Sequence, residues 1–134
     1  MTAKVRRQVR ARAKRRCEYC RLPDWVELAG PFHVEHIVAR QHRGPDNVAN
    51  LAWACSRCNL HKGTNLSGVD PDSSDIVRLF NPRQDRWDDH FELVGAVIRG
   101  RSAAGRATVW LFQMNAERRV EFRAELIEQG LWEP

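Results

Sequence analysis

Two C-x2-C pairs, Cys17/Cys20 and Cys55/Cys58, hold all four cysteines of this chain. Two intervening residues let one tight turn present both sulfurs of a pair to a single ion. Two such pairs complete the tetrahedral thiolate shell of a structural zinc and leave no open position. The pairs are separated by 34 residues (21–54), longer than a simple zinc ribbon, so a folded element must lie between them. Two disulfides are the alternative. The N-terminus is charged throughout and has no apolar core of a secretory signal, which predicts a reducing, cytoplasmic compartment and favours zinc.

Between and just beyond the pairs lie His33, Glu35, His36, Asn47, Asn50, Asn59, His61 and Lys62. Val34, Ile37 and Val38 suit a short strand, and Gly44-Pro45-Asp46-Asn47 is a turn that ends it. An adjacent acid and imidazole at a strand end, Glu35 and His36, can serve a metal and a nucleophilic water respectively. Imidazole, with an unperturbed pKa near ~6.5, can take a proton from water at neutral pH. Asn59 and Lys62 are three apart and would share one face of a helix starting beside Cys58. Taken singly, each of these has a plainer reading: Asn59 as a helix cap, Asn50 as a turn residue, Glu35 as a surface acid, His33 as a packed histidine. Their order between two cysteine knuckles is what argues for chemistry.

That order resembles the HNH endonuclease family. Its pattern of C-x2-C knuckle, acid-His-Ile strand, Gly-containing loop, Asn-Leu and C-x2-C-Asn-x2-Lys stands here as Cys17/Cys20, Glu35-His36-Ile37, Arg43-Gly44, Asn50-Leu51 and Cys55 to Lys62. The likeness covers about 50 residues by motif. Later stretches, Leu79-Phe80-Asn81-Pro82-Arg83, Trp87, His90-Phe91 and Gly105-Arg106-Ala107-Thr108, look like the tail of small stand-alone members. The usual Asp is replaced by Glu35, one methylene longer.

The resemblance implies an α+β fold, a ββα-metal core stapled by a four-cysteine zinc site. It implies metal-dependent hydrolysis of DNA phosphodiesters with His36 as general base and Asn50 tying the loop through backbone hydrogen bonds. Glu35 and Asn59 would hold Mg²⁺ or Mn²⁺, which suit oxygen ligands. Lys62 and Arg57 would pair with phosphate.

Length and charge bound the rest. The 134 residues predict one domain: a basic helix over 1–16, the core over 17–66, and a C-terminal α/β scaffold extension over 67–134. Net charge is +5, yet residues 1–16 carry eight cations and no acid, while the remainder carries 14 cations against 17 acids. Val5, Val9 and Ala13 give this basic segment a narrow apolar stripe. Arg6, Arg7, Arg10 and Arg15 are therefore expected along a nucleic-acid backbone, most readily that of double-stranded DNA. The stripe lacks the large anchors of a membrane-surface helix, and no apolar run reaches the ~20 residues of a membrane span. A single site would have to act twice, or the protein dimerise, to cut a duplex.

Further along, Trp25, Val26 and Leu28 are expected in the core, and residues 63–75 in a loop. Residues 91–98 read as one strand, and 108–114 as a helix beginning near Gly105. A last helix over 116–129 is capped by Asn115, with Val120, Phe122, Leu126 and Ile127 inward.

Two rival functions come from other classes. His33-x-Glu35 followed by Cys55-x2-Cys58 imitates the zinc deaminase signature, with His33, Cys55 and Cys58 on a catalytic zinc. Ala54 stands where that signature has proline, and Cys17 and Cys20 would have no role. The other rival is a zinc-stapled DNA-binding module without catalysis.

Overall fold

The computed structural model describes residues 2–132, Glu27 by its backbone alone. The chain forms two compact units: one runs through Leu66 and takes in Asn81–Gln84, the other comprises Ser67–Phe80 and Asp85 onward. No helix among the described residues is long and apolar enough to cross a membrane.

The first unit begins with helix α1, Ala3–Arg12, whose Thr2 hydroxyl caps the amide of Val5 at 3.2 Å. Its stripe points inward through Val9, which is fully buried. Strands β1 (Phe32–His36) and β2 (Leu51–Cys55) pair antiparallel, from Phe32 opposite Cys55 to His36 opposite Leu51. Every residue of β2 is buried, which fits its apolar run Leu-Ala-Trp-Ala-Cys. Helix α2, Ser56–Lys62, follows without a loop, and the Cys55 sulfur accepts the amide of Cys58 at its start. β1 starts at Phe32 and ends at His36, so Ile37 and Val38 lie just past it. There the pairing continues only through Ile37 N–H donating to the Asn50 carbonyl at 2.9 Å.

The segment before β1 corrects one expectation. Trp25 is 44% and Leu28 84% exposed, so neither is core. Trp25 instead lies beneath the guanidiniums of Arg15 and Arg16, where a ring face attracts a cation.

Among the described residues, the second unit holds two hairpins and three helices. β3 (Ser67–Val69) pairs with β4 (Ile76–Arg78), so part of the expected 63–75 loop is strand. Three-residue strands of Ser, Gly and Val carry no alternation to read, and the pairing arises from the Asp70–Asp75 turn. Asp70 donates its amide to the Asp75 carbonyl and accepts the Asp72 amide on its side chain. The expected 91–98 strand is a hairpin, β5 (Phe91–Val94) and β6 (Val97–Gly100), reversing at Gly95, whose φ of +61° suits glycine.

Helix α3 (Trp87–His90) is one turn. Helix α4 (Ala103–Leu111) packs on β6. Helix α5 (Glu117–Glu128) lacks the expected Asn115 cap: that side chain pairs with both backbone groups of Ile98, accepting at 2.9 Å and donating at 2.7 Å. An amide side chain mimics a strand neighbour here, and the pairing outcompetes capping. Of the inward set of α5, Leu126 is buried, while Ile127 is exposed. Phe80, Trp87 and Phe91 form an aromatic cluster with centroid separations of 5.0 and 5.1 Å about Phe91.

Candidate active site

The four cysteines are buried, and their sulfurs all lie within 4.8 Å of one another, with Cys20 and Cys55 at 3.7 Å. A tetrahedron with Zn–S of about 2.3 Å puts its sulfurs about 3.8 Å apart, so the cluster fits a zinc ion. A disulfide needs about 2.05 Å between sulfurs. The backbone brings the knuckles together. Glu18 donates its amide to the Trp53 carbonyl and accepts the Trp53 amide on Oε2, both at 2.8 Å, which lashes the first knuckle to β2. Arg83 then pairs with Glu18 Oε1. Burial pushes the Cys17 and Cys58 thiols well up, so a bound cation is what would keep them as thiolates.

His33 pairs with the Ser56 hydroxyl at 3.3 Å, while Cys55 and Cys58 join Cys17 and Cys20. The His-Cys-Cys arrangement of a deaminase is not assembled.

His36 sits at the end of β1 with its Nε2 2.8 Å from Asp46 Oδ1, and its side chain is 17% exposed. Asp46 also accepts Arg40 Nε at 2.9 Å, and these two bonds hold its carboxyl below the usual range. Nδ1 of His36 forms no hydrogen bond among the described residues.

The loop from Val38 to Pro45 is closed by Asn50. Its Oδ1 accepts the Val38 amide, and its Nδ2 donates to the Val38 and Pro45 carbonyls, all at 2.9 Å. Gly44 lies against the same carbonyl: a Cβ there would stand 1.7 Å from Val38 O. The glycine of the loop is a matter of space.

Glu35 is buried, 5% exposed, on the inner face of β1. Its Oε2 accepts the Tyr19 hydroxyl at 2.7 Å, and Lys62 Nζ stands 2.5 Å from Oε1. Desolvation raises its pKa, opposed by Lys62 and Tyr19. Lys62 is itself buried and donates to the carbonyls of His36 (3.1 Å) and Ile37 (2.9 Å), so its ammonium is engaged internally rather than held out to phosphate. Oε1 is buried against that ammonium. The Asn59 side chain forms no hydrogen bond among the described residues. Carboxylate and amide oxygens are the donor types that a hard divalent cation takes, and Glu35 Oε1 is here held by the Lys62 ammonium.

The basic helix is partly self-absorbed. Arg10 and Arg15 bind Asp24 (2.7 and 3.3 Å). Arg6 donates to the Phe32 carbonyl and covers the Trp53 ring. Arg12 donates to the carbonyls of Val48 and Leu51. Arg7 and Arg57 are exposed and form no ion pair among the described residues. The reading of the sequence missed Tyr19 and Asp46. Tyr19 was signalled only by being an aromatic inside a cysteine knuckle. Asp46, ten residues after His36 in a turn, carries no spacing signal.

Residues 17–65 match the family model of the HNH endonuclease. The chain is also 28% identical over 117 residues to the Septu protein PtuB of Bacillus thuringiensis, covering 84% of this chain and 41% of that protein. It thus spans less than half the length of the curated relative it matches. No solved structure matches the chain.

Proposed function

We propose that the protein is a metal-dependent endonuclease that hydrolyses DNA phosphodiester bonds. The observation that carries this reading is His36 at the end of β1, bonded to Asp46 beside a loop clamped by Asn50, inside the segment that matches the HNH model. With Nε2–H donating to the Asp46 carboxylate, the Nδ1 lone pair is free to take a proton from water as that water attacks phosphorus. Asp46 also stabilises the imidazolium that forms. Asn50 keeps Val38 and Pro45 in register, and so fixes the direction of the ring.

Glu35 Oε1 and the Asn59 side-chain oxygen would hold Mg²⁺ or Mn²⁺, which stabilises charge on the phosphate and the leaving oxygen. Arg7 and Arg57, with the exposed Lys4 and Lys14, are the cations free to follow a duplex backbone. Arg6, Arg10 and Arg15 serve the fold in this reading. The four cysteines hold zinc as a staple, and their need for thiolate ligands suits a reducing, cytoplasmic setting.

The test is conversion of supercoiled plasmid by zinc-loaded wild type and His36→Ala in Mg²⁺, in Mn²⁺ and without added divalent ion. Cleavage that needs the ion and disappears in the variant supports the reading. Equal cleavage by both proteins removes His36 from the chemistry. Binding without cleavage in any ion would leave a DNA-binding module.

A further inference from the structure

Lys62 is the least expected member of the site. It is 2% exposed, and its ammonium has three protons. Two of its hydrogen bonds go to the His36 and Ile37 carbonyls. Glu35 Oε1, buried and only 2.5 Å from Nζ, takes the third contact of the ammonium. Oε2 is different, since the Tyr19 hydroxyl is aimed at it. One oxygen of the carboxylate is held by a neutral hydroxyl, and the other by the ammonium.

We infer that Lys62 is the resident counter-ion of Glu35 and that a divalent cation loads by displacing its ammonium from Oε1, while Tyr19 keeps its hold on Oε2. The inference rests on the reading of Glu35 as a cation ligand. Two positive centres cannot share one buried carboxylate oxygen without strong repulsion, so occupancy by the metal ion and the Lys62 pair exclude each other. The same lysine carries the carbonyls of His36 and Ile37. Loading is therefore felt in the backbone that holds the proposed base, before any substrate arrives.

The experiment is Mn²⁺ binding to the zinc-loaded full chain, followed by the spin resonance of free Mn²⁺, with no nucleic acid present. Wild type is compared with Lys62→Gln, which keeps a donor for the two carbonyls and removes the charge, and with Glu35→Gln. The expected result is binding on the order of tenfold tighter in Lys62→Gln, the usual size of a site–site coupling, and binding lost in Glu35→Gln. Unchanged or weaker binding in Lys62→Gln, with loss in Glu35→Gln, overturns the inference and leaves Glu35 as a ligand. Wild-type affinity in Glu35→Gln removes Glu35 as a ligand and the inference with it.

Should Lys62→Gln fail to retain zinc, wild type alone decides through the acylation rate of Lys62, read by mass spectrometry. Faster acylation on saturation with Mg²⁺ supports displacement, and an unchanged or slower rate contradicts it.

Discussion

At the scale of single residues, the site joins side-chain pairs, His36 with Asp46 and Glu35 with Tyr19 and Lys62, to a loop that Asn50 holds through backbone groups. Asn50 makes three bonds at 2.9 Å, two of them to Val38. At about 1 kcal/mol per bond, Asn50→Ala should cost about 2–3 kcal/mol in chemical denaturation. Zinc content should stay unchanged, because no cysteine depends on Asn50. Gly44→Ala attacks the same loop from the other side, since its Cβ would overlap the Val38 carbonyl. Both variants should depress cleavage through the misplaced His36 ring, with loss in turnover rather than in DNA affinity. Tyr19 belongs here as well. Tyr19→Phe keeps the packing and deletes the bond to Glu35, and should cost about 1.5–3 kcal/mol, as expected for a hydrogen bond to a charged group.

At the scale of elements, helix α1 is bound to the core by arginine more than by apolar contact. Val9 is its buried apolar anchor, while Arg6, Arg10 and Arg12 reach carbonyls or a carboxylate outside the helix. Burial lowers the pKa of Arg12, a sign that its guanidinium is partly desolvated against the Val48 and Leu51 carbonyls. Arg12→Ala should therefore lower the melting temperature of the protein, whereas Arg7→Ala should not.

In the second unit, Arg106 ties the β3–β4 turn to α4 through a bidentate pair with Asp70 at 3.0 and 2.9 Å. These bonds, with the Asp72 amide, hold the Asp70 carboxyl well below its ordinary range. A depressed folded pKa means stability that is complete above the unfolded value, about 3.9, and is lost as pH falls toward the folded one. Thermal melts of wild type and Asp70→Asn should differ near neutrality, and the difference should begin to shrink only below about pH 4 and go on shrinking as pH falls toward the folded value.

At the scale of the molecule, two behaviours follow from the division into compact units and from the uneven charge. All four cysteines lie in the first unit. Zinc chelation should accelerate amide hydrogen exchange across β1, β2 and α2, the elements hung on the knuckles. Exchange in β5, β6 and α4 should change least. The charge argument concerns binding. Of the eight N-terminal cations, Lys4, Arg7 and Lys14 are exposed without an ion pair among the described residues. Replacing these three with Ala should flatten the dependence of log K on log salt by about 0.9 for each phosphate they neutralise, measured by DNA titration at several ionic strengths. Arg10→Ala should change stability more than that slope, because its charge is spent on Asp24.

Much of this site was legible in the sequence, because zinc ligation and strand–turn–helix punctuation are local in chain terms. Residue type and spacing predict the first strand, the Gly44-Pro45 turn and the helix beside Cys58, the resemblance implies the second strand, and β1, β2 and α2 have that order. Trp25 and Leu28 misled because apolar type says nothing of which side of a surface segment faces water. Asn115 misled because a cap and a strand-edge mimic need the same side chain.

Only the tertiary structure decided how charges are used. Sequence spacing alone put Lys62 near Asn59 and nominated it for phosphate. Packing of α2 beneath β1 buries its ammonium against Glu35 and two carbonyls, since a buried carboxylate requires a counter-charge close by. In the same way the chain determined a cationic N-terminus, and folding assigned most of those arginines to Asp24 and to carbonyls of β1 and β2. Hydrogen-bond partners across 26 or 39 residues leave no trace in local order.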